Sequence, residues 1–304
     1  MSQKRKLIVT GAHGFVAGSV LAQAGPEWEV HAVSRRLAPA GIEPVVWHAC
    51  EPIGSKGLSD LFSQIRPAAL IHTAAIADID FAEENQSLTN AVNVQMTRDL
   101  ANQCAASGCK FVFCSTDTVF DGEHAPYNED DVAQPVNYYG QTKVEAERVV
   151  KELKTPWVIA RLAIVMGLPV IGSGNSFMAR MLEALKEGQK VHVPARELRT
   201  PVDVITAGRA LLELAAGDHE GIFHLAGSSR LERIELGRKI AARFGFPEEL
   251  VNHANPEAMP RRAIRPSDVS LDNSKTRGRL KTPMRTIDEA LSLILETNQT
   301  LRHE

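Results

Sequence analysis

Residues 7–22 read Leu7-Ile8-Val9-Thr10-Gly11-Ala12-His13-Gly14-Phe15-Val16-Ala17-Gly18-Ser19-Val20-Leu21-Ala22. A short apolar run passes directly into two glycines three apart, and these open a helical pattern. Strand, glycine turn and helix in that order are the context in which a glycine-rich turn binds a dinucleotide. Gly11 permits the tight turn, and Gly14 lets the backbone approach a pyrophosphate. The helix that follows, read over Ser19-Val20-Leu21-Ala22, then presents free N–H groups and the positive end of its dipole to that anion. The spacing is G-x-x-G-x-x-A, with His13 inside the turn and Ala17 at the close-packing position.

Working outward, the next apolar run, Trp28 to Ser34, reads as a second strand that ends on Ser34-Arg35-Arg36. An acidic residue here would bind the ribose 2′-hydroxyl of NAD, whereas Arg accommodates a 2′-phosphate. Two guanidiniums suit a phosphate, so NADP is the preferred cofactor and NAD the alternative. Strands are then expected at Pro44–His48, Ala68–Thr73, 110–115 and Trp157–Leu162. Helices are expected at Leu58–Ile65, Leu88–Ser107 and from Tyr139 to about Leu153. Apolar runs alternating with amphipathic helices specify an α/β fold with a Rossmann-type, doubly wound parallel sheet covered on both faces. Ligands of such sheets sit beyond the carboxyl ends of the strands. Gly11, Ala74, Ala75, Thr116 and the residues after Arg161 all fall there.

The run Phe111-Val112-Phe113-Cys114 ends on Ser115-Thr116-Asp117, and after a turn-rich segment comes Tyr138-Tyr139-Gly140-Gln141-Thr142-Lys143. Tyr139 and Lys143 are four apart on a helix and so share a face. A free phenol titrates at roughly pH 10. A nearby ammonium would lower that value towards working pH. Thr116 would hold a substrate oxygen within reach of the phenol. Such a set interconverts a carbonyl and an alcohol when a hydride source is at hand. Taken alone, the same spacing fits a helix start with a solvated lysine one turn on.

Composition narrows the class. The chain has 304 residues, 44% of them hydrophobic and 23% charged, and a formal net charge of −3, an ordinary globular balance. The net charge argues against broad nucleic-acid binding. No apolar run approaches the roughly 18 residues of a membrane span. The basic N-terminus precedes only a short strand, unlike a signal peptide, so a cytoplasmic protein is expected. The cysteines at 50, 104, 109 and 114 lack zinc-site spacing, and reduced structural thiols are the expectation. Ten histidines without an H-E-x-x-H pattern give no metal signal.

Taken together, Thr10-Gly11-Ala12-His13-Gly14, Ser115-Thr116-Asp117 and Tyr139 to Lys143 resemble the extended short-chain dehydrogenase/reductases. Ser115 to Gly122, Pro126-Tyr127-Asn128-Glu129, Pro135 to Gly140 and Arg265 to Asp272 with Lys275 are similar to the dTDP-4-dehydrorhamnose reductases. The resemblance spans nearly the whole chain. It implies a Rossmann domain with a smaller C-terminal substrate domain, Thr116, Tyr139 and Lys143 as the catalytic set, and Asn93 near the nicotinamide. Three departures bear on substrate. Thr118 stands where the family usually has Tyr, residues 161–167 lack a Trp often found near the sugar, and Cys50-Glu51-Pro52 replaces an acidic segment on the adenine side. The hydride chemistry survives them, but a rhamnose substrate does not follow.

After Gly167-Leu168-Pro169 the alternation breaks. A helix from Asn175 to about Gly188, a strand Lys190–Val193, a helix from Arg199 to Ala216, a strand Ile222–Leu225 and helices Glu232–Phe244 and Ile287–Thr297 are expected. The cofactor domain is therefore read as residues 1–165 plus about 203–227, and the substrate region as about 166–202 plus 228–304. Expected cofactor contacts are Gly11, His13, Gly14, Phe15, Val16, Ser34, Arg35, Arg36, Ala74, Ala75, Asn93, Tyr139 and Lys143. Expected substrate contacts are Asp117, Thr118, Asn175, Arg199 and Arg265, with Arg265 chosen from the cluster Arg261, Arg262 and Arg265 as partner of a sugar-nucleotide diphosphate. Arg180, His192 and His224 are further cleft candidates. The function expected is NAD(P)H-dependent reduction of a ketone on a nucleotide-linked 4-keto-6-deoxy sugar, with a homodimer left open. The alternatives are a nucleotide-sugar epimerase or dehydratase holding NAD, and a non-catalytic regulatory subunit resembling the methionine adenosyltransferase β subunit.

Overall fold

The apolar runs become one sheet. The computed structural model describes residues 4–36, 44–49, 56–171, 175–254 and 263–303. In chain order the sheet contains β1 (Arg5–Thr10), β2 (Trp28–Ser34), β3 (Val46–Ala49), β4 (Ala69–His72), β5 (Lys110–Thr116) and β6 (Trp157–Leu162), with Gly221–Leu225 as a seventh strand. All pairings are parallel, and the order across the sheet is Gly221–Leu225, β6, β5, β4, β1, β2, β3. Chain order reverses between β1 and β4, which opens a crevice beyond their carboxyl ends.

The helices are α1 (Phe15–Gln23), α2 (Lys56–Ile65), α3 (Ile79–Glu84), α4 (Gln86–Asn90), α5 (Met96–Ser107), α6 (Tyr138–Lys151), α7 (Phe177–Lys186), α8 (Val204–Ala216), α9 (Arg233–Arg243), α10 (Ser274–Arg279) and α11 (Ile287–His303). Along β5 every residue is buried, and alternate side chains enter different cores, as the strand period of two requires. Val112 and Cys114 join the core under α1 and α8. Phe111 and Phe113 join the one under α2, α5 and α6. A third core gathers residues of α7, α9 and α11 and meets Phe15, Met166 and Val204. The last element thus seats the C-terminal helices on the start of α1, beside the crevice.

Three expected elements differ. The third strand begins at Val46 rather than Pro44, because proline offers no N–H to a ladder. The helix expected over Leu88–Ser107 is broken into α4, a π-turn at Ala91–Gln95 and α5. The helix expected from Arg199 starts only at Val204, capped by Asp203, whose Oδ1 accepts from Thr206 N at 2.7 Å. Pro201 explains the delay, since it holds the residue before it in extended conformation, and Leu198–Arg199 and Val202–Asp203 are short strands instead. Cys104, Cys109 and Cys114 are buried free thiols. Cys50, Glu51, Pro52, Arg261 and Arg262 lie outside the described residues. Among the described residues, no helix is long and apolar enough to cross a membrane.

Candidate active site

The glycine turn is built for close approach. Gly11 has φ +67°, and a Cβ there would lie 2.7 Å from the Ala74 Cα, so residue 11 must lack a side chain. Ala74 therefore serves as the wall against which the turn is pressed. Gly14 donates its N–H to the Gly11 carbonyl at 2.7 Å. It is also the N-cap of α1, where no side chain caps the helix. The first N–H groups of α1 remain available, with exposed Gly14 in front of them, which fits a pyrophosphate. Gly14, Phe15, Val16, Thr73 and Ala75 line one end of a cleft of about 920 Å³. Behind the turn, His13 Nδ1 is hydrogen-bonded to Ser34 Oγ at 2.7 Å, and its ring packs 5.1 Å from that of Trp47. Arg35 and Arg36 are exposed at the end of β2, where a ribose phosphate would lie.

The same cleft reaches Thr116, Asp117, Thr118 and Tyr139. Asn137 caps α6 by accepting from Gly140 N at 2.9 Å. At Gly140 a Cβ would stand 2.5 Å from the Thr118 carbonyl oxygen. The absence of a side chain there lets α6 lie against the turn after β5 and brings Tyr139 to Thr116. The Tyr139 phenol and the Thr116 side chain both line the cleft, and the nearby Thr116 hydroxyl lowers the phenol's pKa, but burial, the largest cause, pushes it well above 10. Lys143 is 2% exposed. Its Nζ donates to the Cys114 carbonyl at 2.7 Å and sits 4.0 Å above the Phe113 ring. Burial pushes the Lys143 pKa down to about 8, with Cys114 and Glu147 opposing that fall.

One expectation is overturned here. Lys143 was to lower the Tyr139 pKa, yet the phenol's value rises and Lys143 is not among its causes. Burial dominates, and the Lys143 ammonium is turned to a main-chain carbonyl. A phenol held protonated is suited to giving a proton, which is the step that reduction of a ketone requires.

Asn93 lies one layer behind the cleft. From the π-turn, its Oδ1 accepts from Ile76 N at 2.8 Å, and its Nδ2 donates to Ile76 O at 3.1 Å and to Thr142 Oγ1 at 3.0 Å. It ties the cleft-lining segment after β4 to α6. Asp117 is 5% exposed. Its Oδ1 takes the Thr116 and Thr118 hydroxyls, each at 3.2 Å, while its Oδ2 is enclosed without a partner. Burial raises the Asp117 pKa, against a lowering by Arg199.

The cations divide into engaged and available groups. Arg199 is buried and spends its donors on the Leu198, Ser267 and Pro266 carbonyls at 2.7, 3.1 and 3.0 Å. Arg265, expected to meet a diphosphate, lines the cleft and is held in a two-pronged pair with Asp80 at 3.0 and 2.8 Å, and it also donates to Ala263 O. Its charge is compensated within the protein. Asn175 accepts from Arg180 at 2.6 Å, and both line the cleft in exposed positions, as does His192. His224 is fully buried against Phe120, away from the cleft. The residue that sequence reasoning missed is Arg233, the first of α9. It lines the cleft, lies 4.4 Å over the Phe177 ring, and has Nη1 enclosed without a partner. Burial pushes its pKa down to about 10, with Glu197 opposing. No local motif marks it. Among the described residues, no His, Cys, Asp and Glu cluster could hold a metal ion.

A parallel Rossmann sheet, a strand-end threonine and a Tyr–Lys pair on the adjoining helix define the extended short-chain dehydrogenase/reductase class. Within that class, the chain belongs to the RmlD substrate binding domain family, which matches residues 5–300. The beta subunit of methionine adenosyltransferase 2 from Mus musculus is 29% identical over 300 residues, spanning 94% of this chain and 87% of that protein. A dTDP-4-dehydrorhamnose reductase from Sinorhizobium fredii is 32% identical over 241 residues, 73% of each chain. The crystal structure of a dTDP-4-dehydrorhamnose reductase from Bacillus anthracis in complex with NADP superposes with a TM-score of 0.86. It covers 97% of this chain and 100% of that one, and its 24% identity makes the likeness one of fold.

Proposed function

We propose that this protein is an NADPH-dependent reductase of a keto group on a nucleotide-linked sugar of the dTDP-4-dehydrorhamnose kind. The observation that carries the reading is that Tyr139 and Thr116 open into the same cleft as the uncapped start of α1. The 32% identical reductase supports the substrate class. Arg35 and Arg36 favour the phosphorylated cofactor, and the solved reductase with NADP bound has the same fold. Residues 166–202 and 228–304 are proposed as the substrate-binding region.

Bound NADPH supplies a hydride to the carbonyl carbon. Turned from Asp117 Oδ1, the Thr116 hydroxyl would donate a hydrogen bond that orients the carbonyl oxygen, and Tyr139 would give that oxygen its proton. Lys143 lies one turn along to hold the nicotinamide ribose. Arg233, which lines the cleft beside Phe177, is proposed to meet the diphosphate in place of Arg265, whose charge is already paired with Asp80. The test is oxidation of NADPH and of NADH with dTDP-4-dehydrorhamnose, comparing wild type with Tyr139→Phe. Loss of the phenol should lower turnover by about 10²- to 10⁴-fold while leaving NADPH affinity nearly unchanged. Undiminished turnover in the variant rejects the assignment of the proton donor.

A second reading rests on the match to the methionine adenosyltransferase 2 beta subunit over 94% of this chain. Under it, the protein binds a methionine adenosyltransferase catalytic subunit and turns over no keto sugar. Co-elution with that subunit, without NADPH oxidation on any keto sugar, would establish it in place of the first.

A further inference from the structure

Behind the catalytic side chains lies a buried ionic network that the proposed reaction does not use. Ser115, Glu147 and Arg161 are 4%, 1% and 1% exposed. Glu147 Oε1 accepts from Ser115 Oγ at 2.6 Å and from Arg161 Nε at 3.0 Å, and its Oε2 accepts from Arg161 Nη2 at 2.8 Å. Burying a carboxylate and a guanidinium carries a desolvation penalty that apolar residues of equal volume avoid. Stability alone is thus a weak reason for the network.

Its placement gives a better one. Ser115 precedes Thr116 on β5, and Arg161 is its register partner on β6. Glu147 follows Tyr139 and Lys143 at steps of four along α6. Two consecutive residues of β5 therefore grip α6, and the next one faces it: the Cys114 carbonyl takes Lys143, Ser115 donates to Glu147, and Thr116 lines the cleft with Tyr139. Arg161 holds Glu147 from the far side and lies 5.0 Å over the Phe120 ring, and Lys151 Nζ stands 3.9 Å from Glu147 Oε2.

We propose that Ser115, Glu147 and Arg161 form a positioning brace, in which one carboxylate clamps the strand end bearing Thr116 to the helix bearing Tyr139 and Lys143. The brace rests on the reductase reading for its purpose, but its geometry can be tested apart from turnover. Ser115→Ala removes only the bond between β5 and Glu147 and leaves the Glu147–Arg161 pair intact. With dTDP-4-dehydrorhamnose and NADPH, kcat should fall about tenfold, as expected for a proton donor displaced by a fraction of an ångström, and both KM values should stay within about twofold. The chain has three tyrosines, so ¹³Cζ-tyrosine NMR resolves them, with Tyr139 assigned from Tyr139→Phe. In Ser115→Ala the Tyr139 resonance should move while that of Tyr127 holds, and the thermal midpoint should fall only by the several degrees that loss of one buried hydrogen bond to a carboxylate costs.

Unchanged kcat with an unmoved Tyr139 resonance overturns the brace. So does a uniform shift of all three resonances, which would show general loosening. If the wild type turns over no keto sugar, the reductase reading fails and the Tyr139 resonance alone decides the brace.

Discussion

Lys143→Met separates what the buried ammonium does from what its burial costs. The ordinary lysine value of 10.5 falls to about 8 in the folded chain. The Cys114 thiol, itself pushed up to about 12, is neutral at pH 7, so Glu147 is the anion that limits the fall. A drop of about 2.5 units, at roughly 1.4 kcal/mol each, is about 3 kcal/mol of folding stability lost at neutral pH. Because the folded value lies below the unfolded one, the folded state binds this proton less tightly. The penalty is full below pH 8, fades between 8 and 10.5, and is about 1 kcal/mol at pH 9.5. Methionine removes the penalty but also the bond to the Cys114 carbonyl, worth about 1–2 kcal/mol. The variant should therefore be more stable than wild type by about 1–2 kcal/mol at pH 7, a rise of roughly 2–6 °C in midpoint. Near pH 9.5 that advantage should vanish. Thermal unfolding without cofactor at the two pH values measures this, and NADPH oxidation by the variant should be nearly abolished. Wild-type turnover should itself decline above about pH 8 as the ammonium is lost. A variant less stable at pH 7, or a gap that ignores pH, would refute the reasoning.

Two further substitutions probe the ends of the cleft. Arg233→Met should raise KM for the nucleotide sugar by about ten- to hundredfold with little change in kcat, as loss of one charge-assisted contact requires; an unchanged KM would return the diphosphate to another cation. Gly11→Ala places a Cβ against the Ala74 backbone at positive φ, and should abolish NADPH binding, measured by quenching of intrinsic fluorescence, since neither atom can move aside.

What could be read along the chain was whatever depends on near neighbours. The glycine turn, the strand runs and the four-residue step from Tyr139 to Lys143 each fit within one element, and the sheet returned them in the expected places. Features made by tertiary approach were not legible. Arg265 looked free because its partner, Asp80, is far away in sequence and arrives on α3. Arg233 looked ordinary because Phe177 and the wall that encloses its Nη1 come from elsewhere. His224 was misplaced because nothing local shows that Phe120 covers it. The shift of the Tyr139 pKa had the wrong sign because spacing reveals a neighbour's charge but not the depth of burial, and here depth prevails.

The contact at Gly140 has a consequence for how such a cleft can change. The distance between α6 and the turn after β5 is set by one main chain resting on another, with no side chain between them. The reactive hydroxyl therefore inherits its location from atoms that every residue type shares. The walls of the cleft, by contrast, are made of side chains on loops and on the C-terminal helices. Under the reductase reading, substitutions in those walls would alter which sugar is admitted and leave the Tyr139 hydroxyl where it is.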